Sequence, residues 1–415
     1  MNDRTILHCD CNSFFASVET VFRPELAGVP MAVAGDAEAR HGIILAKNEL
    51  AKKYGIETAE TIYSAKKKCP ALILVPPHHR EYAAFSAKVR GIYERYTDQI
   101  EPFGMDEAWL DVTASRALFG DGYTIANKIR EEVKREIGIT VSVGVSFNKV
   151  FAKMGSDYKK PDAVTVIDRE NYRALLYSLP VGSLLFVGKQ TAKSLLSCNI
   201  RTIGDLAAAS PAFLASRFGK MGEMLSVYAR GEDDSPVADI YESADVKSVS
   251  NGMTFRRDIT TRDEMRLGIS VLAEDVARRL RKKGMKCTTV GVTVKDTSLK
   301  SFTRQCPVSP PTQLSSEIAD GAFALACASV PVGKPIRMLT VSAMNLIHAE
   351  EAVEQVTLFD EEKDEKREKR GRLESTVDEI RRRYGSTAVT SGSVIGNDLG
   401  IKDGSKEDKF GADPH

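Results

Sequence analysis

Three carboxylates set the chemistry open to this sequence. Asp10 ends one short apolar run, and Asp106 and Glu107 adjoin within Gly104-Met105-Asp106-Glu107 in a second chain segment. Hard oxygen donors of this kind select Mg2+ or Mn2+ over softer ions. Adjacent residues on a regular strand face opposite ways, so Asp106 and Glu107 share a site only where a bend or bulge re-aims one of them. Taken alone, the Asp-Glu pair reads as an ordinary turn.

The elements that must position these groups follow from hydrophobic periodicity. A strand over 4–10 leads into a helix from Ser13, in which Phe14, Phe15, Val18 and Phe22 keep helical spacing, so Asp10 stands where a strand gives way to a helix. The pattern over 101–112 is a hairpin bent at Asp106 and Glu107, with Ala108, Leu110 and Val112 alternating along its far arm. Strand candidates at 31–34, 43–46 and 72–75, with helical patterns after Asn48 and Thr61, form a small α/β insertion. A long helix from Glu81, helices over 124–137 and 149–158, and strands over 141–145 and 164–167 complete an alternating set. Residues 167–235 carry only helical periodicity with short glycine turns, and beyond Tyr241 a strand, helix, strand pattern occurs twice.

A chain of 415 residues, 42% hydrophobic, exceeds what one core supports, so several domains are expected. No leader-like segment or apolar run of membrane-spanning length stands out, which points to the cytoplasm. The seven cysteines are scattered, and Cys9 and Cys11 alternate along one strand, which suits buried free thiols better than zinc or a disulfide. The net charge of +1 hides an asymmetry: residues 245–349 carry 16 Lys+Arg against 9 Asp+Glu, and residues 350–415 carry 12 against 17. A basic run such as Arg278-Arg279-Leu280-Arg281-Lys282-Lys283 suits either a phosphate backbone or a solvated helix face. The charged tail reads as flexible.

His8-Cys9-Asp10-Cys11-Asn12-Ser13-Phe14-Phe15-Ala16-Ser17-Val18-Glu19 and Met105-Asp106-Glu107-Ala108-Trp109-Leu110-Asp111-Val112 resemble two motifs of the Y-family DNA polymerases, the DNA polymerase IV group. The resemblance continues through Ser142-Val143-Gly144-Val145-Ser146, Asn148-Lys149-Val150-Phe151-Ala152-Lys153 and Lys159-Lys160-Pro161, in order, over residues 4–360. It implies an α+β, multi-domain right-hand polymerase. The ferredoxin-like palm would span 1–12 and 78–166, small fingers 13–77, and a helical helix-hairpin-helix thumb 167–235. A linker at 236–244, a split βαβ little finger at 245–349 that binds DNA, and a flexible tail at 350–415 would follow.

The reaction so implied is template-directed, low-fidelity translesion synthesis without proofreading. A primer 3′-hydroxyl attacks the α-phosphate of a deoxynucleoside triphosphate with the help of two Mg2+ ions, for which Mn2+ can substitute. By resemblance Asp10 and Asp106 bridge both ions, Glu107 holds the ion at the primer end, and the Cys11 carbonyl ligates the ion on the nucleotide. Phe15 falls at the steric gate against a 2′-hydroxyl, Phe14 adjoins it in the nucleotide site, and Lys52 and Lys160 map to triphosphate contacts. Gly188, Lys189, Arg256 and Arg257 map to DNA contacts. Gln355-Val356-Thr357-Leu358-Phe359-Asp360 resembles peptides that bind the bacterial sliding clamp, with Gln355, Leu358 and Phe359 as anchors. The partners implied are primer–template DNA, deoxynucleoside triphosphates and the clamp, for a monomer away from membranes.

Three positions depart from the family pattern. Lys52 stands where Arg is common, and acts as a point charge rather than a fork. Glu49 stands where a Tyr usually faces the phosphates, so that either Glu49 points away or Asn48 takes that duty. Phe186 replaces the first glycine of the helix-hairpin-helix turn. Two other readings stay open on sequence: a catalytically idle DNA- and clamp-binding module, and a palm-type nucleotide cyclase.

Overall fold

The computed structural model describes residues 4–36, 42–241, 246–351, 361–385 and 387–401. The peptide 355–360, with Gln355, Leu358 and Phe359, lies outside the described residues. The chain forms two compact units, the first built mainly from residues 4–34 and 44–241 and the second from 246–401. Among the described residues, no helix is long and apolar enough to cross a membrane.

In the first unit β1 (Ile6–Cys11) is buried along its whole length. Ser13, at φ 50, turns the chain from β1 into the helix Phe14–Phe22. The insertion that follows forms a three-stranded sheet of β2 (Met31–Ala34), β3 (Ile44–Lys47) and β4 (Ile73–Val75), ordered β3-β2-β4. The main sheet adds β5 (Ile100–Pro102), β6 (Glu107–Asp111), β7 (Val141–Ser146) and β8 (Val164–Ile167) in the order β5-β6-β1-β7-β8. β1 is therefore central, antiparallel to both β6 and β7.

Alternation along β1 sorts its side chains between two faces. Leu7, Cys9 and Cys11 join the core beneath the helices His79–Tyr93 and Gly122–Ile137, with Tyr82, Val89, Ile125 and Ile129. His8 and Asp10 take the opposite face, where the helix Lys149–Tyr158 packs on β1 and β7. That helix starts at Asn148, whose Oδ1 accepts the Phe151 amide at 2.8 Å. It comes so close at Gly144 that a Cβ there would stand 1.9 Å from the Ala152 carbonyl oxygen. The helices between Tyr172 and Arg230 close around a core of their own that includes Leu195, Leu206, Leu214 and Leu225.

The second unit is a four-stranded antiparallel sheet of β9 (Ser248–Ile259), β10 (Met285–Asp296), β11 (Ser301–Thr312) and β12 (Ile336–His348), ordered β11-β10-β12-β9. The helices Arg262–Lys282 and Ser315–Ser329 pack together on this sheet. This is the doubled strand, helix, strand pattern read from the sequence.

The tail departs from the expected flexible segment. Glu361–Tyr384 is a helix. Its Glu374 and Asp378 both engage Arg281, with Asp378 at 2.7 Å; Arg367 reaches Glu317 at 2.8 Å, and Arg381 reaches Glu274 at 2.6 Å. Beyond it Val394, Leu399 and Ile401 are buried in the core of the second unit, and the Leu399 carbonyl accepts the Arg256 amide at 2.8 Å on the edge strand β9. High charge density misled the sequence reading, because Arg367, Glu374, Asp378 and Arg381 find partners on other elements, although Lys369 and Arg372 pair within the helix and stay exposed. The arginines of the basic run are likewise engaged inside the unit, Arg278 with Asp275 at 2.6 Å and Arg279 with the Ser250 carbonyl at 2.8 Å, while Lys282 and Lys283 are exposed.

Leu399→Ala should cost about 2–4 kcal/mol in the second unit by removing a buried side chain, and should lower the midpoint of its urea unfolding. A midpoint equal to that of the parent chain contradicts the docked tail.

Candidate active site

Asp10 and Glu107 are direct cross-strand partners on β1 and β6, so their side chains share one face. Asp106 precedes β6 in the bend that begins at Gly104, φ 142, and its carbonyl accepts the Cys11 amide at 2.9 Å. The strand rule would send the Asp106 side chain to the opposite face from Glu107, yet the charges of both Asp10 and Glu107 act on it. Of the three carboxylates of the sequence reading, Asp10 and Glu107 thus come from adjacent strands and Asp106 from the bend ahead of β6.

Two lysines answer the charge. Lys153 Nζ lies 2.9 Å from Asp10 Oδ2 and 2.6 Å from Glu107 Oε2, and Lys160 Nζ lies 2.7 Å from the same Asp10 oxygen and 2.6 Å from Asp157. Burial opposes the charge on Lys153, but Asp10 and Glu107 outweigh it and hold its pKa above the ordinary lysine value. For Glu107 burial pushes upward, yet His8 and Lys153 bring the carboxyl down to about 2. At Asp106 burial, then the charges of Asp10 and Glu107, outweigh the opposing pull of the backbone and Lys153 and push the carboxyl up to about 6. Ligand atoms of His8, Asp10 and Glu107 lie within 4.8 Å of one another, a spacing that suits a metal ion.

Sequence reasoning missed Lys153 and His8 as site residues. Lys153 sits one helical turn past Lys149 and reads as an ordinary basic position. His8, two residues before Asp10, had a usable signal in the strand period, since i and i+2 share a face.

Around this centre the remaining residues fall unevenly. Phe14 is 3% exposed within the core, so only its main chain is available to a nucleotide. Phe15 is half-buried and stacks on Tyr82 with centroids 4.1 Å apart. Tyr82 is held in turn by Glu19, 2.6 Å from its hydroxyl; burial opposes the Glu19 charge, but Tyr82, His78 and Arg23 keep that carboxyl below its usual range. Lys52 is exposed and lies 2.5 Å from Glu49, which also accepts from Ser13 at 3.1 Å. Asn48 is engaged in the fold: its amide donates to the Val29 carbonyl and its oxygen caps the helix Glu49–Lys53.

Of the expected DNA contacts, Gly188 is the N-cap of the helix Lys189–Ser197, leaving exposed helix-start amides suited to an anion. Phe186 adopts φ 65, the left-handed backbone that a glycine would favour at that turn. Arg256 is exposed on β9, but Arg257 is engaged by Glu264 at 2.5 Å and Asp398 at 2.6 Å.

Residues 9–157 match the impB/mucB/samB family, and residues 246–358 match that family's C-terminal domain. The chain is 47% identical over 392 residues to a DNA polymerase IV of Acetivibrio thermocellus, covering 94% of this chain and 98% of that one. It is 36% identical to a DNA polymerase IV of Clostridium kluyveri, again covering 94% of this chain and 98% of the relative. Among solved structures, a Y-family DNA polymerase chimera of Dbh and Dpo4 matches with a TM-score of 0.73 at 25% identity, over 83% of this chain and 99% of that one.

An acid whose folded pKa lies above its unfolded value binds its proton more tightly when folded. The Asp106 shift from 3.8 to about 6 therefore removes stability as pH rises through that window. Asp106→Asn should stabilise the metal-free protein by roughly 2 kcal/mol at pH 7.5, after allowance for solvent screening, and by almost nothing at pH 4. Thermal unfolding in chelator at both pH values checks this, and an equal gain at both contradicts it.

Proposed function

This chain belongs to the impB/mucB/samB family of Y-family DNA polymerases, and from that premise we propose that Asp10, Asp106 and Glu107 are the catalytic ligands of its divalent metal ions. It is a DNA-directed DNA polymerase that performs translesion synthesis with divalent metal ions. The observation that supports the assignment is the cross-strand pairing of Asp10 with Glu107, with Lys153 as a cation bridging them and Asp106 near enough for their charges to raise its pKa. A donor set of carboxylate oxygens fits Mg2+, and the Asp106 carboxyl at about 6 marks negative charge that a bound cation would relieve.

The ions we assign are two Mg2+. When bound they supply the positive charge that makes the primer 3′-hydroxyl a better nucleophile and neutralises the triphosphate. Asp10 and Asp106 would hold these ions, with Glu107 and the Cys11 carbonyl as the further ligands. Lys160, beside Asp10, reaches the triphosphate. Phe15, braced from behind by Tyr82, stands under the sugar and excludes a 2′-hydroxyl; Phe14 contributes its main chain. Lys52 gives a weaker triphosphate contact, because Glu49 draws off part of its charge.

Residues 1–12 and 78–166 act as palm, 13–77 as fingers, 167–235 as thumb, 236–244 as linker and 245–349 as little finger. The amides at Gly188 and Lys189 hold a DNA phosphate. Arg256 contacts DNA directly, whereas Arg257 does so only once it leaves Asp398. Gln355, Leu358 and Phe359 dock a sliding clamp, and the protein acts as a monomer in the cytoplasm.

Primer extension with Mg2+ on templates with and without an abasic site tests the assignment. The parent chain should extend both templates, Asp106→Ala neither, and Phe15→Ala should insert ribonucleotides far more readily. Extension by Asp106→Ala removes the metal assignment, and unchanged sugar selection by Phe15→Ala removes the gate.

Cutting off the whole tail would disturb the second unit, so the clamp peptide is tested by Leu358→Ala with Phe359→Ala. This variant should keep basal synthesis and lose stimulation by the clamp; full stimulation rules the docking role out.

A further inference from the structure

His8 is fully buried, at 0% exposure, in the strand that carries Asp10. Its ring stands edge-on to Trp109 with centroids 5.2 Å apart. Nδ1 lies 2.8 Å from Ser156 Oγ, and Nε2 lies 3.3 Å from Glu107 Oε2. Nε2 is one of four buried side-chain nitrogen or oxygen atoms among the described residues without a well-formed hydrogen bond. Its nearest polar neighbour is nonetheless a carboxylate that we assign to a metal ion.

A neutral imidazole offers one N–H and one lone pair, so two arrangements compete. In the first, Nδ1 donates to Ser156, Ser156 donates to the Lys153 carbonyl 2.8 Å away, and the Nε2 lone pair faces the Glu107 oxygen. Two acceptors would then oppose each other at 3.3 Å in a buried site, a repulsive contact. In the second, Ser156 donates to Nδ1 and Nε2–H donates to Glu107. Only this arrangement gives both ring nitrogens a partner of the right kind.

We propose that His8 is a positioning residue: with its tautomer set by Ser156, it holds Glu107 Oε2 and turns the other carboxylate oxygen toward the divalent cation. A freely rotating glutamate must lose rotamer entropy when it binds a metal, and a hydrogen-bonded one has already lost it. Partners that orient ligands in this way typically account for roughly 10- to 100-fold in metal affinity or activity. Neither Ser156 nor His8 touches the reacting atoms in this scheme.

The inference rests on Glu107 as a metal ligand, and the test separates the two. Binding of Mn2+ alone would be followed by paramagnetic resonance in the full chain with primer–template bound. His8→Phe keeps the ring against Trp109 and removes the donor, His8→Gln keeps a donor, and Ser156→Ala frees the tautomer. We expect His8→Phe to weaken Mn2+ about 10- to 100-fold and to raise the Mg2+ concentration for half-maximal synthesis in step, with the nucleotide KM unchanged. His8→Gln should recover most of the loss, and Ser156→Ala should lie between. Parent-like Mn2+ binding in folded His8→Phe overturns the inference, as does a His8→Gln variant no better than His8→Phe. Should His8→Phe not fold, parent-like binding by Ser156→Ala overturns it instead. If Glu107→Gln leaves Mn2+ binding intact, the metal assignment itself fails; if Glu107→Gln weakens it and His8→Phe does not, only the role of His8 fails.

Discussion

Everything around the site answers one electrostatic constraint: three carboxylates held close together in a half-buried place repel one another. Two unit charges about 4 Å apart interact by roughly 4 kcal/mol at the effective dielectric of a protein surface. Lys153 and Lys160 offset this at Asp10 and Glu107, and Asp106, which neither lysine contacts, is left with its pKa pushed up to about 6. The Lys153 ammonium group thus stands between two of the carboxylates.

The backbone around the cluster is arranged to hold that balance. The Asp10–Glu107 register puts two carboxylates on one face, and Asp106 stands in the bend after Gly104. Gly144 lets the helix Lys149–Tyr158 approach until Lys153 and Ser156 reach across β1 to the carboxylates and to His8. On the other side, the Glu19, His78 and Tyr82 contacts stiffen the ring on which Phe15 stacks. Rigid walls of this sort hold a catalytic geometry that loops alone would leave loose.

The carboxylates were legible only through the family motifs that hold them, since the Asp-Glu pair alone reads as a turn, whereas the α+β architecture was legible because strand and helix periods alternate cleanly. The placing of Asp106 just ahead of β6 was not legible, since it lies in a bend that no side-chain pattern reports. Lys153 was hidden because a lysine on a helix looks solvated until the facing strand is known. The tail was misread for a related reason. Its charges resemble those of a disordered segment, yet Glu374, Asp378 and Arg381 find partners on helices far away in sequence, and Leu399 and Ile401 enter a core whose pattern is too sparse to see locally. Arg257 looked free for DNA for the same reason, because Asp398 meets it only in three dimensions.

The most direct measurement is anomalous scattering from Mn2+ in crystals of the chain with primer–template and a non-hydrolysable deoxynucleoside triphosphate. The account predicts peaks against the carboxylates of Asp10, Asp106 and Glu107, with the Lys153 ammonium group withdrawn from between Asp10 and Glu107. Peaks elsewhere, with Lys153 still bridging the two carboxylates, would contradict it.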